Sequence, residues 1–536
     1  MEPFGRRSLL IGTAATVAAL RLRTLLAPLP VGAAPLPDDP FTLGVATGDP
    51  TSSGFVAWTR LAPDPTNGGG MPPDAVPVDW VVARDAAMTQ VVQTGTASAV
   101  AELAHTVHVD VGGLDPDGEW FVQFHVEGWD SPVARSRTLP ASGLTPLRFG
   151  FVSCQSYPVG YYTALRGLAG EGLDLWLHLG DYIYENGGTG PVRSQGPDEI
   201  FTLDEYRNRY GVYKSDLDLQ AAHHAAPVVV VWDDHEVDNN YADEVGQNGQ
   251  TPDQIRDRRT AGYRAWFEHL PVRLSSPTGP DLQIYRSLDW GDLARFHMLD
   301  GRQYRDPAPC QAELAASPVP LADCPERLGE DRTMLGADQR SWLASSLAGS
   351  PAVWDVVGQQ TVFVPMPVAG LYNPDQWDGY PQDRQRVWEL LREQLNPVVV
   401  TGDIHAAGVA RLHHDLEDVE TERIGTELVG TSVSSTFPVD DQAELAETLV
   451  GDLPYVEYIN VRQRGYTVVD LSADAMRYEY KVVADPTVPD SAISTAHTGQ
   501  VPARVAAVDP VDPIDPVAPP SADPAVPIDA PASFTG

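Results

Sequence analysis

Lysine is nearly absent from this chain. Only Lys214 and Lys481 occur among 536 residues, so its cationic side chains are almost all arginine. Positive charge is scarce altogether: 36 basic side chains face 74 acidic ones, a formal net charge of −38 at pH 7. Residues 1–33 hold Arg6, Arg7, Arg21 and Arg23 against Glu2 alone, so the remainder is more acidic still. A surface of that sign repels nucleic acid and anionic lipid at long range. No basic stripe interrupts it, so no nucleic-acid-binding surface is expected. Long apolar runs are missing too. After residue 20 none approaches the length of a membrane-spanning helix, and the mature chain is expected to have no membrane span.

The N-terminus carries its own message. Gly5-Arg6-Arg7-Ser8-Leu9-Leu10 opens an apolar stretch to Leu20, and small residues follow at Val31-Gly32-Ala33-Ala34. A charged start, a short apolar segment and a small-residue cleavage site describe an export signal rather than a structural helix. The adjacent arginines resemble the twin-arginine signal, although Gly5 and Leu9 depart from its usual residues. Residues 1–33 are therefore expected to be removed near Ala33, the twin-arginine export machinery to be a partner, and the mature chain to be secreted. Three cysteines are present. Cys310 and Cys324 share one proline-rich loop and form the natural disulfide pair in an exported protein, which leaves Cys154 over.

Short alternating runs separated by Gly, Pro and Asp occupy residues 40–141, among them Gly54–Arg60, His105–Val111 and Trp120–Val126, and predict a small β-sandwich. From 145 to 495 strand-like runs alternate with helical stretches such as Leu203–Tyr213 and Arg256–His269, an α/β pattern. Residues 505–536 repeat Asp and Pro with little to pack, and the composition predicts a disordered tail.

Four apolar runs end in residues of one chemical kind. Arg148–Ser153 ends at Cys154, and Leu175–Gly180 ends at Asp181. Val228–Trp232 ends at Asp233-Asp234-His235-Glu236, and Val398–Gly402 ends at Asp403-Ile404-His405. Functional groups in α/β sheets collect just past the carboxyl ends of strands. Converging carboxylates resist ionisation unless a cation sits between them, so a metal is the simplest resolution. Thiolate and phenolate suit a Lewis-acidic transition metal, with ferric iron the natural match for a tyrosine oxygen. A second position served by carboxylates suits calcium or another hard cation. Each residue also has a structural reading. Cys154 could be an inert buried thiol, Tyr184 a core residue with its hydroxyl bonded, and His235 a salt-bridged histidine. His223-His224 and His413-His414 are expected to be solvated, and Arg207 and Arg209 to pair with nearby acids.

Gly180-Asp181-Tyr182-Ile183-Tyr184 resembles the GDxxY motif of metallophosphoesterases. Asp233-Asp234-His235-Glu236 and Gly402-Asp403-Ile404-His405 stand where that superfamily has its Asn-His-Asp/Glu and Gly-His-x-His motifs. Cys154 narrows the resemblance to the alkaline phosphatase D (PhoD) family, as do Phe41–Pro50, Leu299–Asp306 and Trp377–Pro381. The resemblance implies a four-layer α/β/β/α catalytic domain behind an immunoglobulin-like one, and a ferric ion with calcium. By motif position, Cys154, Asp181, Tyr184 and His405 would hold the iron. Asp181 would bridge to calcium, also bound by Asp234 and Asp403, with Asn239, Asn240, phosphate or water completing that shell.

The expected activity is hydrolysis of phosphate monoesters or diesters by water activated on the metals. His235, oriented by Glu236, would donate a proton or hydrogen bond to the substrate. A phospholipase D-type phosphodiesterase is the alternative within enzymes. A non-catalytic binder of phosphate-rich wall polymer is the alternative outside them, and it has no need of His235.

Overall fold

The computed structural model describes residues 36–310, 319–320, 323–367, 369–416, 418–437 and 443–504. The expected signal segment 1–33 and the tail 505–536 lie outside the described residues. Three valine- and leucine-rich runs form adjacent parallel strands, Leu147–Val152, Leu175–His178 and Val228–Val230. Leu177 is level with Phe151 on one side and Val229 on the other. They sit inside a nine-stranded sheet flanked by antiparallel strands Arg464–Leu471, Ala475–Val483 and Ile493–Pro502 on one side. A seven-stranded sheet contains a second parallel set: Ala294–Met298, Trp354–Gly358, Pro397–Thr401 and Asp418–Val429.

The two sheets pack face to face, and period-two alternation decides which side chains fill the space between them. Phe149 and Phe151 pack in one core with Phe296, Val356, Val398 and Val400. The rings of Phe149 and Phe296 meet edge to face with centroids 5.3 Å apart. Val357 and Val399 point the other way, into a second core built with Leu343, Leu347, Val387, Trp388 and Leu391. Those last five lie on helices Gly336–Ala348 and Pro381–Leu391, which cover the outer face of the seven-stranded sheet. On the nine-stranded sheet, a Cβ on Gly150 would meet Leu168 at 2.6 Å, so helix Thr163–Ala169 lies against that outer face. The order helix, sheet, sheet, helix is the expected four-layer α/β architecture.

The N-terminal strands are tied into this frame. Val45–Thr51, Gly54–Arg60 and Thr106–Val111 extend the nine-stranded sheet through one parallel pairing, Gly48 with Val228. Any side chain at Gly48 would strike the carbonyl oxygens of Pro271 and Val228, at 2.4 and 2.7 Å, so glycine is needed at the joint. Val76–Ala83, Val91–Ala99, Glu119–Val126 and Trp129–Asp130 form a separate sheet, joined by Ala134–Arg137. The N-terminal segment thus has the two-sheet character expected of it, but one of its sheets is continuous with the catalytic sheet.

Three smaller expectations need correction. His223 and His413 are buried, not solvated: His223 Nε2 meets the Tyr182 hydroxyl at 2.7 Å, and His413 Nδ1 meets the Thr421 carbonyl at 2.8 Å. His224 is half-buried as well, its Nε2 accepting the Val45 N–H at 3.3 Å, and of the four only His414 is exposed as expected. Among the described residues Arg209 pairs with no acid but donates to the main-chain carbonyls of Tyr184, Asn186 and Asp198. Arg207 does pair as expected, through two 2.7 Å bonds to Glu268.

Cys310 and Cys324 form a disulfide across a sequence separation of 14, and Cys154 is free and buried. Closing a loop of this size restricts the unfolded chain by about 3 kcal/mol in the chain-entropy view. The Cys310→Ser/Cys324→Ser double variant is expected to lose about that much stability in denaturant melts while keeping its activity. Peptide mapping without reductant should find Cys154 unbridged.

Candidate metal centre

Both parallel sets run in the same sense within their sheets, so their carboxyl ends gather at one edge, where the two sheets meet at a Ser153–Ser432 bridge. Cys154 follows the first strand, Asp181 the second and Asp233-Asp234 the third. From the other sheet, Arg302 follows Ala294–Met298 and Asp403 follows Pro397–Thr401. The chain must turn sharply off each strand for these side chains to face one another. Cys154, Asp181, Asp403 and His405 all adopt left-handed backbone conformations, with φ of 59, 56, 63 and 56°. Residues other than glycine take up such conformations at a cost, and they concentrate at functional sites. Gly180 and Gly402 make the approach possible: a Cβ on the first would lie 2.4 Å from Asp233 Cβ, and on the second 2.5 Å from Ser153 Oγ.

Cys154, Asp181 and His405 each offer a ligand atom within 4.8 Å of the others. The Tyr184 hydroxyl joins them, donating to Asp181 Oδ2 at 2.8 Å and lying 3.3 Å from His405 Nε2 and 2.7 Å from Ser435 Oγ. His405 Nδ1 meets the Thr436 carbonyl at 2.6 Å, which fixes the tautomer and leaves the Nε2 lone pair toward the cluster. Burial lowers its pKa to about 4, so the ring is neutral, as a metal ligand must be. Burial pushes the Cys154 thiol and the Tyr184 phenol well above their ordinary values, and the Asp181 carboxylate adds to both shifts. Asp181 itself is pushed up by burial and by Asp234, Asp233 and Glu236, against the pull of His235. Its Oδ1 is buried without any hydrogen-bond partner, as is Asp233 Oδ2. A buried carboxylate oxygen with no donor is costly unless a cation satisfies it. Soft thiolate, phenolate, carboxylate and imidazole in one place are a donor set for a transition metal.

Asp233, Asp234 and Asp403 form a second cluster with oxygens within 4.8 Å of one another. Asp234 Oδ2 accepts the Asn240 amide at 2.6 Å. Burial alone would raise Asp234, but Arg302, His235 and that amide outweigh it and hold the carboxyl below its ordinary range. Burial raises Asp403 to about 7 despite Arg302. Every residue assigned to the centre from the sequence, Cys154, Asp181, Tyr184, Asp234, His235, Asp403 and His405, is brought to this edge.

The orientation expected for His235 is wrong in one respect. Its Nδ1 pairs with Glu185 Oε2 at 2.6 Å, not with Glu236. Glu236 is turned inward, where its carboxylate accepts the backbone N–H groups of Asp181, Tyr182 and Asp233 at 3.2, 2.5 and 2.8 Å. It therefore clamps two strand ends together instead of touching the imidazole. Burial opposes a charge on His235, yet Glu185, Asp181 and Asp234 outweigh it and hold the ring well above its ordinary value. The ring faces the cluster and lies against that of Tyr184 at 4.0 Å between centroids.

Sequence reasoning missed Glu185, Arg302 and Ser435. Glu185 directly follows the GDxxY motif, and Arg302 lies in the Leu299–Asp306 stretch noted for its resemblance. Either position was a visible signal. Ser435 had none.

The sequence profile of the PhoD-like phosphatase family matches residues 149–480, and that of the PhoD-like phosphatase N-terminal domain matches residues 27–140. The chain is 43% identical over 512 residues to alkaline phosphatase D of Bacillus subtilis (strain 168), covering 92% of this chain and 86% of that protein. A solved structure of PhoD superposes with a TM-score of 0.82 at 42% identity, covering 88% of this chain and 92% of that one. With the strand-end cluster in place and both segments matched, the chain belongs to the PhoD-like phosphatase family and is a phosphate-ester hydrolase.

Proposed function

We propose that Cys154, Asp181, Tyr184 and His405 hold a ferric ion, and that Asp181, Asp234 and Asp403 hold calcium beside it. The observation that supports this most directly is the donor set. Ionised thiolate, phenolate and carboxylate bring three negative charges to one point, which a trivalent ion neutralises. The second cluster offers carboxylate oxygens alone, the preference of a hard divalent ion. When bound, such ions polarise the phosphoryl oxygens and acidify the attacking water.

The chain's own residues supply the rest. His235 donates a proton or hydrogen bond to the phosphate or the leaving oxygen, and Glu185 keeps its ring oriented and charged. Glu236 fixes the turn that carries Asp181. Phosphate monoesters or diesters at neutral to alkaline pH are the proposed substrates. We further propose that the mature protein is secreted through the twin-arginine route, a reading supported by Arg6-Arg7 and the apolar segment after them.

A ferric–tyrosinate centre absorbs visible light, which a zinc, magnesium or calcium site does not. The purified mature protein is therefore expected to be coloured in proportion to its iron content. Tyr184→Phe should remove or shift the band with the fold intact, and Cys154→Ser should weaken iron retention. A colourless, fully active protein containing zinc and no iron would sink the iron assignment.

Calcium dependence is tested by turnover of a chromogenic phosphate ester. Chelation should abolish activity and re-addition should restore it. Full activity after exhaustive chelation would exclude a calcium-dependent site.

The two glutamates should separate cleanly. Glu185→Gln is expected to lower kcat roughly 10–100-fold with little change in melting temperature, as for other partners that orient a reacting group. Glu236→Gln places an amide against three backbone N–H groups and should cost about 3 kcal/mol of stability. Denaturant melts beside steady-state kinetics check both. Equal effects of the two substitutions would contradict the division of roles.

A further inference from the structure

Arg302 is fully buried among carboxylates, and each nitrogen of its guanidinium is engaged. Nε donates to Asp233 Oδ1. Nη1 donates to both oxygens of Asp375, at 3.1 and 2.8 Å. Nη2 donates to Asp403 Oδ1 at 3.1 Å and lies 3.7 Å from Asp234 Oδ1. The backbone beneath is rigidly held. Asp300 Oδ1 accepts the N–H groups of Arg302 and Gln303, each at 3.0 Å, and Gln360 Oε1 accepts that of Gly301 at 2.9 Å. Asp375 is shared with Arg305, whose Nη2 donates to it at 2.6 Å.

These contacts divide the four carboxylates. Asp375 is satisfied by two guanidinium groups, whereas Asp233 is held through Oδ1 alone and its Oδ2 stays without a hydrogen-bond partner. Asp234 and Asp403 meet only the far nitrogen of the fork. Four carboxylates thus share the two guanidinium groups of Arg302 and Arg305. Asp403 Oδ2 is occupied by Gln376 Nε2, so the oxygen that a cation would take is Oδ1, the one that Nη2 holds.

We propose that Arg302 is a placeholder cation for the hard-metal position. Without the ion, Nη2 keeps Asp234 and Asp403 converged, where bare carboxylates would repel one another or take up protons. As the ion loads, it competes with Nη2 for Asp403 Oδ1, while Nε and Nη1 keep their hold on Asp233 and Asp375. The planar fork makes this division possible; a lysine ammonium has no second arm with which to stay anchored. The inference rests on the reading of a hard cation at Asp234 and Asp403.

The test is calcium titrated into the chelator-treated mature protein, followed by calorimetry and by melting temperature. Arg302→Gln should lower the melting temperature in chelator and bind calcium about tenfold tighter, because a fixed charge beside the ion and its competition for Oδ1 are both gone. Arg302→Lys keeps the charge but loses the fork and should fall between Gln and wild type; it serves alone if Arg302→Gln does not fold in chelator. Calcium binding unchanged or weakened in the variants would overturn the placeholder and leave Arg302 a scaffold that orients the ligands. Failure of wild type and variants alike to bind calcium would overturn the hard-cation reading itself.

Discussion

The structure depends on bringing like charges together in a buried place. Asp181, Asp233, Asp234 and Asp403 come from both sheets to one edge, and Asp181 Oδ1 and Asp233 Oδ2 are buried there without a hydrogen-bond partner. Coulomb repulsion in a poorly solvated site is severe. Each nearby feature works against it: Arg302 spans the carboxylates, Arg305 backs Asp375, and the Asn240 amide bonds Asp234. The metal ions proposed for the centre complete a compensation that the polypeptide has already begun.

The same demand explains the backbone. Parallel strands deliver their carboxyl ends to one edge, but a strand alone would send its next side chain up or down, away from its neighbours. Left-handed turns at Cys154, Asp181, Asp403 and His405 redirect four side chains inward. Such turns persist only when their surroundings hold them. Glu236 does this for the Asp181 turn by accepting the Asp181 and Tyr182 N–H groups, and the Ser434 and Ser435 amides do it for Cys154 by donating to its carbonyl. Strain and ligand placement are two aspects of one construction.

Some of this was legible in the chain itself, because buried parallel strands read as short valine-rich runs and the residue after each run is the one exposed to the site. The runs ending at Cys154, Asp181, Asp234 and Asp403 are such cases, and the disulfide followed from two cysteines in one loop. Chain neighbours were a poor guide to spatial neighbours. Glu236 adjoins His235 in sequence, but consecutive side chains diverge, and the imidazole's partner is Glu185, 50 residues earlier. The N-terminal strands read as a separate sandwich because periodicity reports which face is buried and not which strand lies alongside. The pairing of Gly48 with Val228 is a long-range choice invisible to it.

By itself, then, the sequence determined the strand ends, the ligand types and the enzyme family, since these are properties of residues taken in order. Only the tertiary structure decided how one arginine divides its contacts among the carboxylates. That division depends on the direction of individual side chains in a shared, low-dielectric space. Asp233 and Asp234 are adjacent and chemically identical, yet one accepts Arg302 Nε and the other lies 3.7 Å from Nη2.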